Sequence, residues 1–555
     1  MENMDNFSKT TLRIPHLPTL FLIIGYPVFW LEMYVIKMGA SRCSMLAWGL
    51  WVAVVGYVFV RDVSQIKTSF SDFLKWFGQI NLFEKLILSA AFFFIVQIVL
   101  VAFLAALLPP HLPQEFDVIN YHIAIPRQHL ILNSFKHIEW SSADLLLMPI
   151  NFALAPFWLS GEFPNKIPQF FIALGLVMVV KDILIYYSKH TFWPVIIGVF
   201  AIFGSHGIGI QMGTGMLDLV MCYLFFAAWD SFLRGNWFIS AIELTFYFWA
   251  KAFIPVQSIM IVLLLISIYY FLNWIGFKKW HLFNDVDAEK KDFLWLGCRR
   301  IMLYFFILSL LVAGPFLFKS LYYSGTPLYP FGTGMVSVSA STDHSYRVAS
   351  LKEASKGYLH VKDLYGHGRG VGDFIKHLWI IIVPEKSVNN VYDYPLGLPL
   401  LLFGGVFIFH FFDMLKHKIF GILAWGVIIF WLSWWFGSQQ ARFLYVPMVV
   451  IFILGALKFQ NSSRVLLACL LVSIAFNGIS VFRAHKKDWQ YLSKPFEALR
   501  ARDQELVVQS REYLMQNKTQ PVELEFSDIA YAQFPVRITM LKDENYPWVI
   551  NFKKP

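Results

Sequence analysis

Apolar runs of about 20 residues recur along the chain and are separated by short polar connections. A helix of that length can cross the roughly 30 Å hydrocarbon core of a bilayer. The pattern predicts about 13 membrane-spanning helices, and the chain is therefore expected to be an all-α polytopic membrane protein. The predicted spans lie near residues 17–39, 44–61, 84–108, 165–187, 191–211, 216–233, 237–254, 256–275, 301–319, 396–414, 418–436, 443–458 and 463–481.

The Lys and Arg residues of the connections predict which side of the membrane each connection faces. The segment 276–300 is rich in both, and Lys416 and Lys418 flank another short connection. Because cytoplasmic connections carry an excess of basic residues, we place these segments in the cytoplasm. Counting outward from them puts the N-terminus and residue 189 inside and the segment 110–164 outside.

One further apolar segment, residues 144–161, is only marginally long enough to cross and is interrupted by Pro149 and Pro156. Counted as a span, it would move Asp218 to the cytoplasmic side. Left out, it keeps Asp218 outside and the basic segment 276–300 in the cytoplasm. We therefore interpret it as a helix that lies in, or dips into, the outer interface.

The predicted topology divides the chain into a transmembrane part, residues 1–483, and a C-terminal tail, residues 484–555. Within the transmembrane part, the two large external segments are the loops 110–164 and 320–395. The tail returns to the composition of a soluble protein and begins with a pattern typical of an amphipathic helix. Its length suits a small external domain and is too short for an independent enzyme.

The composition agrees with a membrane protein and excludes several other classes. The chain is 57% hydrophobic and 15% charged, against about 25% charged residues in soluble domains. The net charge of +10 is accounted for by basic cytoplasmic connections and does not indicate nucleic-acid binding. The four cysteines are far apart and form no CxxC pair, so neither a zinc site nor a disulfide framework is predicted.

Ionisable residues concentrate where predicted spans meet the outer side of the membrane. The densest cluster is "EFDVINYHIAIPRQH", which contains Glu115, Asp117, Tyr121, His122 and Arg127. The others are Asp218 in "MLDLV", Lys251 in "FWAKAFIP", the segment "SGTPLYPFGTG" with Tyr329, and Arg442 in "RFLYVP". Each has an ordinary explanation on its own: a solvated loop carboxylate, a snorkelling cation or a helix N-terminal charge. Their common predicted side favours one functional site, because charge at membrane depth is costly.

These residue types suit transfer of a group from a lipid phosphate. A carboxylate can act as general base toward an acceptor hydroxyl. Asp117 and Asp218 are also candidate ligands for a divalent cation such as Mg²⁺ or Mn²⁺. Lys251 and Arg442 suit a phosphate at the membrane surface, Arg through two parallel hydrogen bonds.

With these residues in view, the chain resembles the GT-C superfamily of glycosyltransferases, polytopic enzymes that use polyprenyl-phosphate-linked sugars. The resemblance is to the bacterial branch related to protein O-mannosyltransferases and the lipid A aminoarabinose transferase. Five elements occur in the same order over roughly residues 84–460: "DVINYHIAIP", "MLDLV", the Lys251 context, "GTPLYPF" and "RFLYVP". Three details differ: Thr326 stands where relatives carry Asn, two predicted spans precede the acidic motif, which is more than in many relatives, and Val118 replaces the second acid of protein O-mannosyltransferases. The last difference argues against a protein acceptor.

The resemblance implies a GT-C fold with in-plane helices in the first external loop and an inverting transfer on the outer face of a bacterial inner membrane. By it, Asp117 is the general base or aligns the acceptor hydroxyl, Glu115 is a second candidate and Asp218 assists. Lys251 and Arg442 would bind the donor phosphate, and Tyr121, His122, Arg127 and Tyr329 would contact substrate. The expected partners are a polyprenyl-phosphate sugar, a glycan, lipid or protein acceptor, and membrane lipid.

Two alternative functions remain at this stage. One is a transferase of the O-antigen ligase or polymerase type, which uses a lipid diphosphate donor and relies on Arg and His in a large external loop. The candidate residues for it are Arg347, His360, His367 and Arg369. The other is a transporter or flippase, which would be expected to carry charges in the middle of its spans and often an internal repeat. The predicted spans are nearly free of mid-span charge and show no repeat, which disfavours this class.

Overall fold

Helices form nearly all of the regular structure of the protein. The computed structural model describes residues 13–37, 40–108, 110, 115, 117–132, 134–138, 142–158, 165–188, 191–251, 254, 257–258, 261–264, 288–333, 351–352, 355–356, 368–382, 395–416, 418–459, 461, 463–485, 537–541 and 549–553. The α-helices are α1 (Leu20–Leu31), α2 (Ala40–Gln79), α3 (Leu82–Leu107), α4 (Ala124–Leu132), α5 (Pro149–Trp158), α6 (Ile167–Ser188), α7 (Phe192–Gly204), α8 (His206–Gln211), α9 (Asp218–Leu233), α10 (Trp237–Phe248), α11 (Ala288–Val312), α12 (Gly314–Ser324), α13 (Val371–Ile380), α14 (Leu398–Lys416), α15 (Lys418–Phe436), α16 (Tyr445–Ala456) and α17 (Arg464–His485).

Short 3₁₀ and π-helical turns join some of these α-helices. The 3₁₀ turns are Ile14–Thr19, Ser142–Leu145 and Ala441–Leu444, and the π turns are Glu32–Ile36 and Val118–His122. Two of them carry residues of the predicted site. Asp117 immediately precedes one π turn, and Arg442 lies in the 3₁₀ turn that leads into α16. Non-α turns of this kind are frequent at helix ends and at functional sites.

Among the described residues, six helices are long and apolar enough to cross a membrane, and the bent pair α11–α12 makes a seventh candidate. The six cover Ile14–Ile36, Arg42–Ser64, Leu82–Leu107, Ile167–Ser188, Leu398–Leu415 and Arg464–His485. Four shorter apolar helices accompany them, at Phe192–Gly204, Trp237–Phe248, Phe420–Phe436 and Ala441–Ala456. The protein is thus a multi-pass membrane protein by helix length and composition. Most of the predicted span at 256–275 lies outside the described residues.

Two predicted spans differ in extent from the helices observed. The span predicted at 44–61 is part of α2, which has 40 residues and would be about 60 Å long at 1.5 Å per residue. The apolar window therefore marked only its first half. The span predicted at 301–319 is a helix pair that bends by 50° between Val312 and Gly314, and Pro315 at the start of α12 accounts for the break.

The segment between α3 and α6 leaves and re-enters the helix bundle at one place. The Lys166 backbone N–H donates to the Ala106 carbonyl oxygen at 2.8 Å, which joins the start of α6 to the end of α3. Helix α5, at 10 residues, spans only about 15 Å. All of its residues are buried against protein. The interpretation that residues 144–161 do not cross the membrane agrees with this geometry, although α5 packs under other elements and is not exposed as a surface helix.

Helix α1 lies directly against α5 and holds that segment in place. Gly25 makes this approach possible, because a Cβ atom there would lie 1.8 Å from the Ala153 carbonyl oxygen. Phe29 of α1 meets Phe152 of α5 edge-to-face with ring centroids 5.1 Å apart. Both contacts are buried, so the segment between α3 and α6, called the first external segment after its predicted side, packs against an apolar face of α1.

Contacts between helix ends fall into two groups that match the predicted sides of the membrane. One group joins predicted outer ends: Lys166 to Ala106, Glu115 to Gly215, Ser205 to Leu396 and Arg442 to Asp117. The other joins predicted cytoplasmic ends: Trp76 to Trp193, Tyr187 to Phe420, Phe83 to Arg464 and Arg234 to Asp182. The predicted grouping of helix ends is therefore self-consistent, with residue 189 itself outside the described residues.

The described part of the C-terminal tail is a two-stranded antiparallel hairpin. Strand β1 (Arg537–Leu541) pairs with β2 (Val549–Lys553), with Thr539 opposite Asn551. This hairpin departs from the all-α prediction for the whole chain. The amphipathic helix predicted at the start of the tail lies outside the described residues.

Candidate functional site

Arg442 links two of the predicted acids at the end of the helix bundle that is predicted to face outward. Its Nη2 atom donates to Asp117 Oδ2 at 2.7 Å, and its Nε atom lies 3.6 Å from Asp218 Oδ2. Gln440 Oε1 accepts from Arg442 Nε at 3.0 Å and from Nη2 at 2.8 Å. The guanidinium is therefore held by two different acceptors, Gln440 and Asp117, through three hydrogen bonds.

Asp218 and Lys251 form the second ion pair of the same site. Asp218 is the first residue of α9 and is 2% exposed, and Lys251 follows the end of α10. The Lys251 Nζ atom donates to Asp218 Oδ1 at 3.1 Å. Asp218 thus accepts from Lys251 with one oxygen and faces Arg442 with the other. The network formed by Asp117, Asp218, Lys251 and Arg442 is named the Arg442 network below.

Asp117 is the most accessible member of the Arg442 network, with 19% of its side chain exposed against 7% for Arg442. Burial alone disfavours its charged form, but the charges of Arg442 and Lys251 outweigh burial and hold the pKa of Asp117 below its ordinary value. A carboxylate in this state is a weak proton acceptor. As the structure stands, Asp117 is suited to align a hydroxyl more than to remove its proton.

A small pocket opens beside the Arg442 network. Its polar lining includes Asp218, Arg442 and Gln257, and its aromatic lining includes Tyr247, Phe430 and Phe443. Phe443 also contacts both cations, with Lys251 Nζ 5.1 Å and Arg442 Cζ 5.6 Å from its ring centre. An apolar pocket with a few convergent charged groups is the usual form of a small-molecule site.

His122 lies in the turn that follows Asp117 and is fully buried. Its Nδ1 atom is 3.1 Å from Asn151 Oδ1 of α5. Burial, followed by the charge of Lys251, lowers the pKa of His122 to about 3, so its ring is neutral at pH 7. The neighbouring Tyr121 is half-buried, with its ring centre 4.4 Å from that of His122. Arg127 is buried in α4.

Glu115 connects two other elements and is fully buried. It accepts from Lys166 Nζ at 3.0 Å and from the Gly215 backbone N–H at 2.7 Å. These contacts tie the first external segment to the start of α6 and to the residues that precede α9. Glu115 is therefore placed to position Asp218, and its predicted role as a second catalytic acid is less well supported than that of Asp117.

The "GTPLYPF" element forms a turn after α12 and packs in a cluster of its own. Tyr329 is fully buried against Leu145 and Leu351. Thr326 accepts from the Leu328 backbone N–H and donates to the Phe331 carbonyl oxygen at 2.7 Å, so its hydroxyl shapes the turn. The structure thus places Tyr329 beside the first external segment, in a hydrophobic cluster distinct from the main core that contains Phe443.

The predicted divalent cation stays a prediction. Asp117 and Asp218 each engage a basic side chain, and the Arg442 guanidinium lies where a shared cation would have to bind. Within the described ranges, no three His, Cys, Asp or Glu side chains are arranged as a metal site. The donor set, with both acids paired to basic side chains, does not fit a divalent ion.

A second buried cluster, centred on Asp144, was not foreseen from the sequence. Asp144 accepts from Lys319 Nζ at 2.6 Å and from the Ile138 backbone N–H at 2.7 Å. His129 Nε2 and His137 Nδ1 lie 2.6 Å and 3.0 Å from its oxygens. Lys319 and the histidines hold the pKa of Asp144 well below its ordinary value against the opposing effect of burial. In the sequence, Asp144 begins one apolar run and Lys319 ends another, and these two isolated charges were the signal that could have indicated the pair.

A third cluster, at the opposite end of α9, corrects the view that the spans are nearly free of charge. His16 lies between two fully buried acids, with Nε2 3.0 Å from Asp230 and Nδ1 2.8 Å from Glu243. Asp230 also pairs with Arg234. Asp230 is 12 residues along α9 from Asp218, or about 18 Å. The predicted spans therefore carry more buried charge than the sequence suggested, which weakens the argument against a transporter.

The residues proposed for a ligase-type enzyme are mostly beyond the described part of the chain. Arg347, His360 and His367 lie outside the described residues. Arg369 donates to the carbonyl oxygens of Phe436 and Gly437, the latter at 3.0 Å. It therefore supports the connection that leads to Gln440 and Arg442.

The chain matches no protein-family model, no curated protein and no solved structure.

Proposed function

We propose that the protein is an inverting glycosyltransferase that moves a sugar from a polyprenyl-phosphate donor to an acceptor hydroxyl. The observation that carries the proposal is the Arg442 network. Four residues from segments as far apart as 117 and 442 meet in a multi-pass membrane protein, and two of them, Asp218 and Arg442, also line a pocket. They supply two cations for a phosphate and one partly exposed carboxylate for a hydroxyl.

The donor phosphate would bind by competing with the acids for the two cations. Arg442 and Lys251 are held ready by Asp117 and Asp218, so the site is neutralised while empty. A phosphate that engages Arg442 would take its Nη2 away from Asp117. The pKa of Asp117 would then rise, because its main stabilising charge is shared with the phosphate. Donor binding would thereby prepare Asp117 for its chemical role.

Transfer would proceed by direct displacement. The acceptor hydroxyl oxygen attacks the anomeric carbon, and the bond from that carbon to the phosphate oxygen breaks with its electron pair on the phosphate. The hydroxyl proton passes to Asp117, and Arg442 and Lys251 stabilise the negative charge that develops on the leaving phosphate. One displacement inverts the anomeric configuration. The acceptor is a glycan, a lipid or a protein.

The finer architecture belongs to the same proposal. We infer a GT-C fold of about 13 spans, with the Arg442 network on the periplasmic or outer face of a bacterial inner membrane. Three features support it: the order of the five sequence elements, the return of the chain from α3 to α6 at one place, and the matching groups of helix ends. The tail would form a small external domain.

The test is a transfer assay with the full chain purified into lipid nanodiscs. A panel of undecaprenyl-phosphate-linked hexoses and pentoses is incubated with extracted cell-envelope glycolipids, polysaccharide and protein, and release of undecaprenyl phosphate with a new glycoside is followed. Wild type should transfer at least one sugar, and Arg442→Ala should transfer it much more slowly at the same donor concentration. Arg464→Ala is the matched control, since Arg464 stacks on Phe83 at the other end of the bundle.

The same panel separates the proposal from its alternatives. Transfer from undecaprenyl diphosphate sugars alone would favour the ligase type of enzyme. Movement of labelled lipid across proteoliposomes without any glycoside formed would favour a transporter and would end the transferase proposal.

A further inference from the structure

His122 has one ring nitrogen with an assigned partner and one without. Its Nδ1 atom is 3.1 Å from Asn151 Oδ1. The Asn151 amide orientation is supported from its other side, where Nδ2 lies 3.6 Å from Met148 Sδ. Sulfur is a weak acceptor and does not donate here, so the amide nitrogen belongs on that side. Asn151 Oδ1 therefore faces His122 and requires a hydrogen on Nδ1.

A neutral imidazole carries only one N–H, so Nδ1–H leaves a lone pair on Nε2. The Nε2 atom is buried, and among the described residues it has no hydrogen-bond partner. Buried polar atoms in native proteins almost always have a partner, and an exception calls for an explanation. His122 is also close enough to Asp117, Asp218 and Lys251 for their charges to act on its ring.

We propose that His122 Nε2 accepts a hydrogen bond from a substrate hydroxyl, and that Asn151 acts as a positioning residue by holding His122 in the Nδ1–H tautomer. The inference rests on the proposed function and assigns a specificity role within the same site. His122 in this state contributes no positive charge and takes no proton. His122 would thereby select substrates that carry a hydroxyl group at one position beside the Arg442 network.

Other ligand groups fit this nitrogen less well. A phosphate dianion has no hydrogen to donate and would repel the lone pair. An ammonium group would bring a charge to a buried position, where burial already disfavours the charged form of His122 itself. A hydroxyl is neutral and donates one hydrogen, which is what the vacant nitrogen requires. That hydroxyl belongs either to the donor sugar or to the acceptor, and the experiment separates the two.

The tautomer is tested first, because its result does not depend on any substrate. The full chain is labelled with ¹⁵N-histidine in nanodiscs, and the His122 signals are assigned by difference from His122→Gln. The expected spectrum at pH 7 shows a protonated Nδ1 and an unprotonated Nε2. Asn151→Leu should lose this preference, and Asn151→Asp should keep it. A charged ring or an Nε2–H tautomer in wild type would overturn the inference.

Two substitutions at residue 122 then separate the two ring nitrogens. The amide of Asn reaches the place of Nδ1, and the longer Gln reaches the place of Nε2. His122→Asn should keep the Asn151 contact and lose the acceptor, and His122→Gln should keep an acceptor oxygen near the Nε2 position. The binding probes are undecaprenyl phosphate alone and undecaprenyl phosphate bearing mannose, glucose, galactose or arabinose.

If the hydroxyl is on the donor, His122→Asn should weaken sugar-lipid binding about tenfold and leave bare undecaprenyl phosphate unchanged. If it is on the acceptor, donor binding should be unchanged and the KM for the acceptor should rise about tenfold. His122→Gln should lose clearly less in either case. Equal losses in both variants, or no loss in either, would overturn the hydroxyl role. Failure of wild type to bind undecaprenyl phosphate at all would instead refute the proposed function.

Discussion

Among single residues, Arg442 matters most because it forms ion pairs with two acids and also lines a pocket. Its hydrogen bonds to Gln440 fix the guanidinium plane, and its Nη2 occupies the oxygen of Asp117 that a hydroxyl would use. An arginine arranged in this way can exchange a carboxylate for a phosphate without moving far. The effects expected of substitutions at residues 442 and 117 follow from that exchange.

Arg442→Ala is expected to weaken binding of the lipid-phosphate donor by about tenfold or more, because hydrogen bonds to a charged group are worth about 1.5–3 kcal/mol. Arg442→Lys should restore binding only partly, since a point charge cannot form two parallel bonds. Lys251→Ala should have a smaller effect. Titration with undecaprenyl phosphate in nanodiscs measures each. Unchanged affinity together with a large loss of thermal stability would make Arg442 a structural anchor.

Asp117→Asn is expected to reduce transfer by about 10²–10⁴-fold, the usual effect of removing a general base. Donor binding and folding should be largely preserved, because Asn can still accept a hydrogen bond from Arg442. Single-turnover transfer and donor titration measure the two effects separately. The matched control is Asp72→Asn, an exposed carboxylate on α2. A near wild-type rate for Asp117→Asn would exclude it as the base.

At the scale of elements, the Asp144 cluster ties α12 to the first external segment. Lys319 reaches across to Asp144 and lies 4.4 Å from the centre of the Phe135 ring. Ser320, the next residue, donates to the Thr326 carbonyl oxygen at 2.7 Å and so supports the turn that contains Tyr329. The buried pair thus holds together two elements that the sequence treats as separate.

Lys319→Met is expected to destabilise the protein strongly, by about 3–5 kcal/mol, because it leaves the Asp144 charge buried without its closest cation. The double variant Lys319→Met with Asp144→Asn should be less destabilised, since it removes both charges. Thermal unfolding in nanodiscs compares them with Lys136→Met, where the lysine is exposed. A double variant less stable than Lys319→Met alone would contradict the explanation.

Acid should destabilise the first external segment through His122. Its folded pKa of about 3 lies below the ordinary value of 6.5, so the unfolded chain binds the proton first as pH falls. The stabilising contribution is complete above about pH 6.5 and is lost progressively between about pH 6.5 and 3. His122→Asn should therefore reduce the fall in melting temperature between pH 7 and pH 5. An identical fall in the variant and wild type would show that His122 does not titrate in this way.

At the scale of the whole molecule, charged clusters lie at both ends of α9. The Arg442 network is at one end and the His16 cluster is at the other, about 18 Å away along the helix. The polar side chains at each end pair with their own neighbours. This arrangement favours a site open at one face over a continuous polar path.

The membrane topology should follow the same division. In a background where Cys43, Cys222, Cys298 and Cys469 are replaced, Gly370→Cys should react with an impermeant maleimide in intact cells. Asn461→Cys should react only after lysis, because residue 461 belongs to a predicted cytoplasmic connection. Both positions are exposed, so accessibility within the protein does not decide the result. Labelling of both in intact cells, or of neither, would contradict the predicted sides.

The sequence by itself determined where most helices lie and which residues were candidates for a functional site. Apolar runs of span length locate helices such as α3, α6 and α17, because a bilayer imposes length and composition on each span separately. Because a charged residue in an apolar run is energetically costly, Asp218 and Lys251 were recognised as candidate site residues. That residues 144–161 do not cross the membrane stays a prediction from the charge distribution.

The tertiary structure alone decided which of these residues meet. Asp117 and Arg442 are 325 positions apart, and no local pattern specifies that an acid in one loop will face a cation before α16. Lys166, Asn151 and Gln440 gave no signal in the sequence, because each looks like an ordinary polar residue near a helix end. Their roles arise only when packed helices bring them against Glu115, His122 and Arg442, since a hydrogen bond depends on distances that helix packing sets.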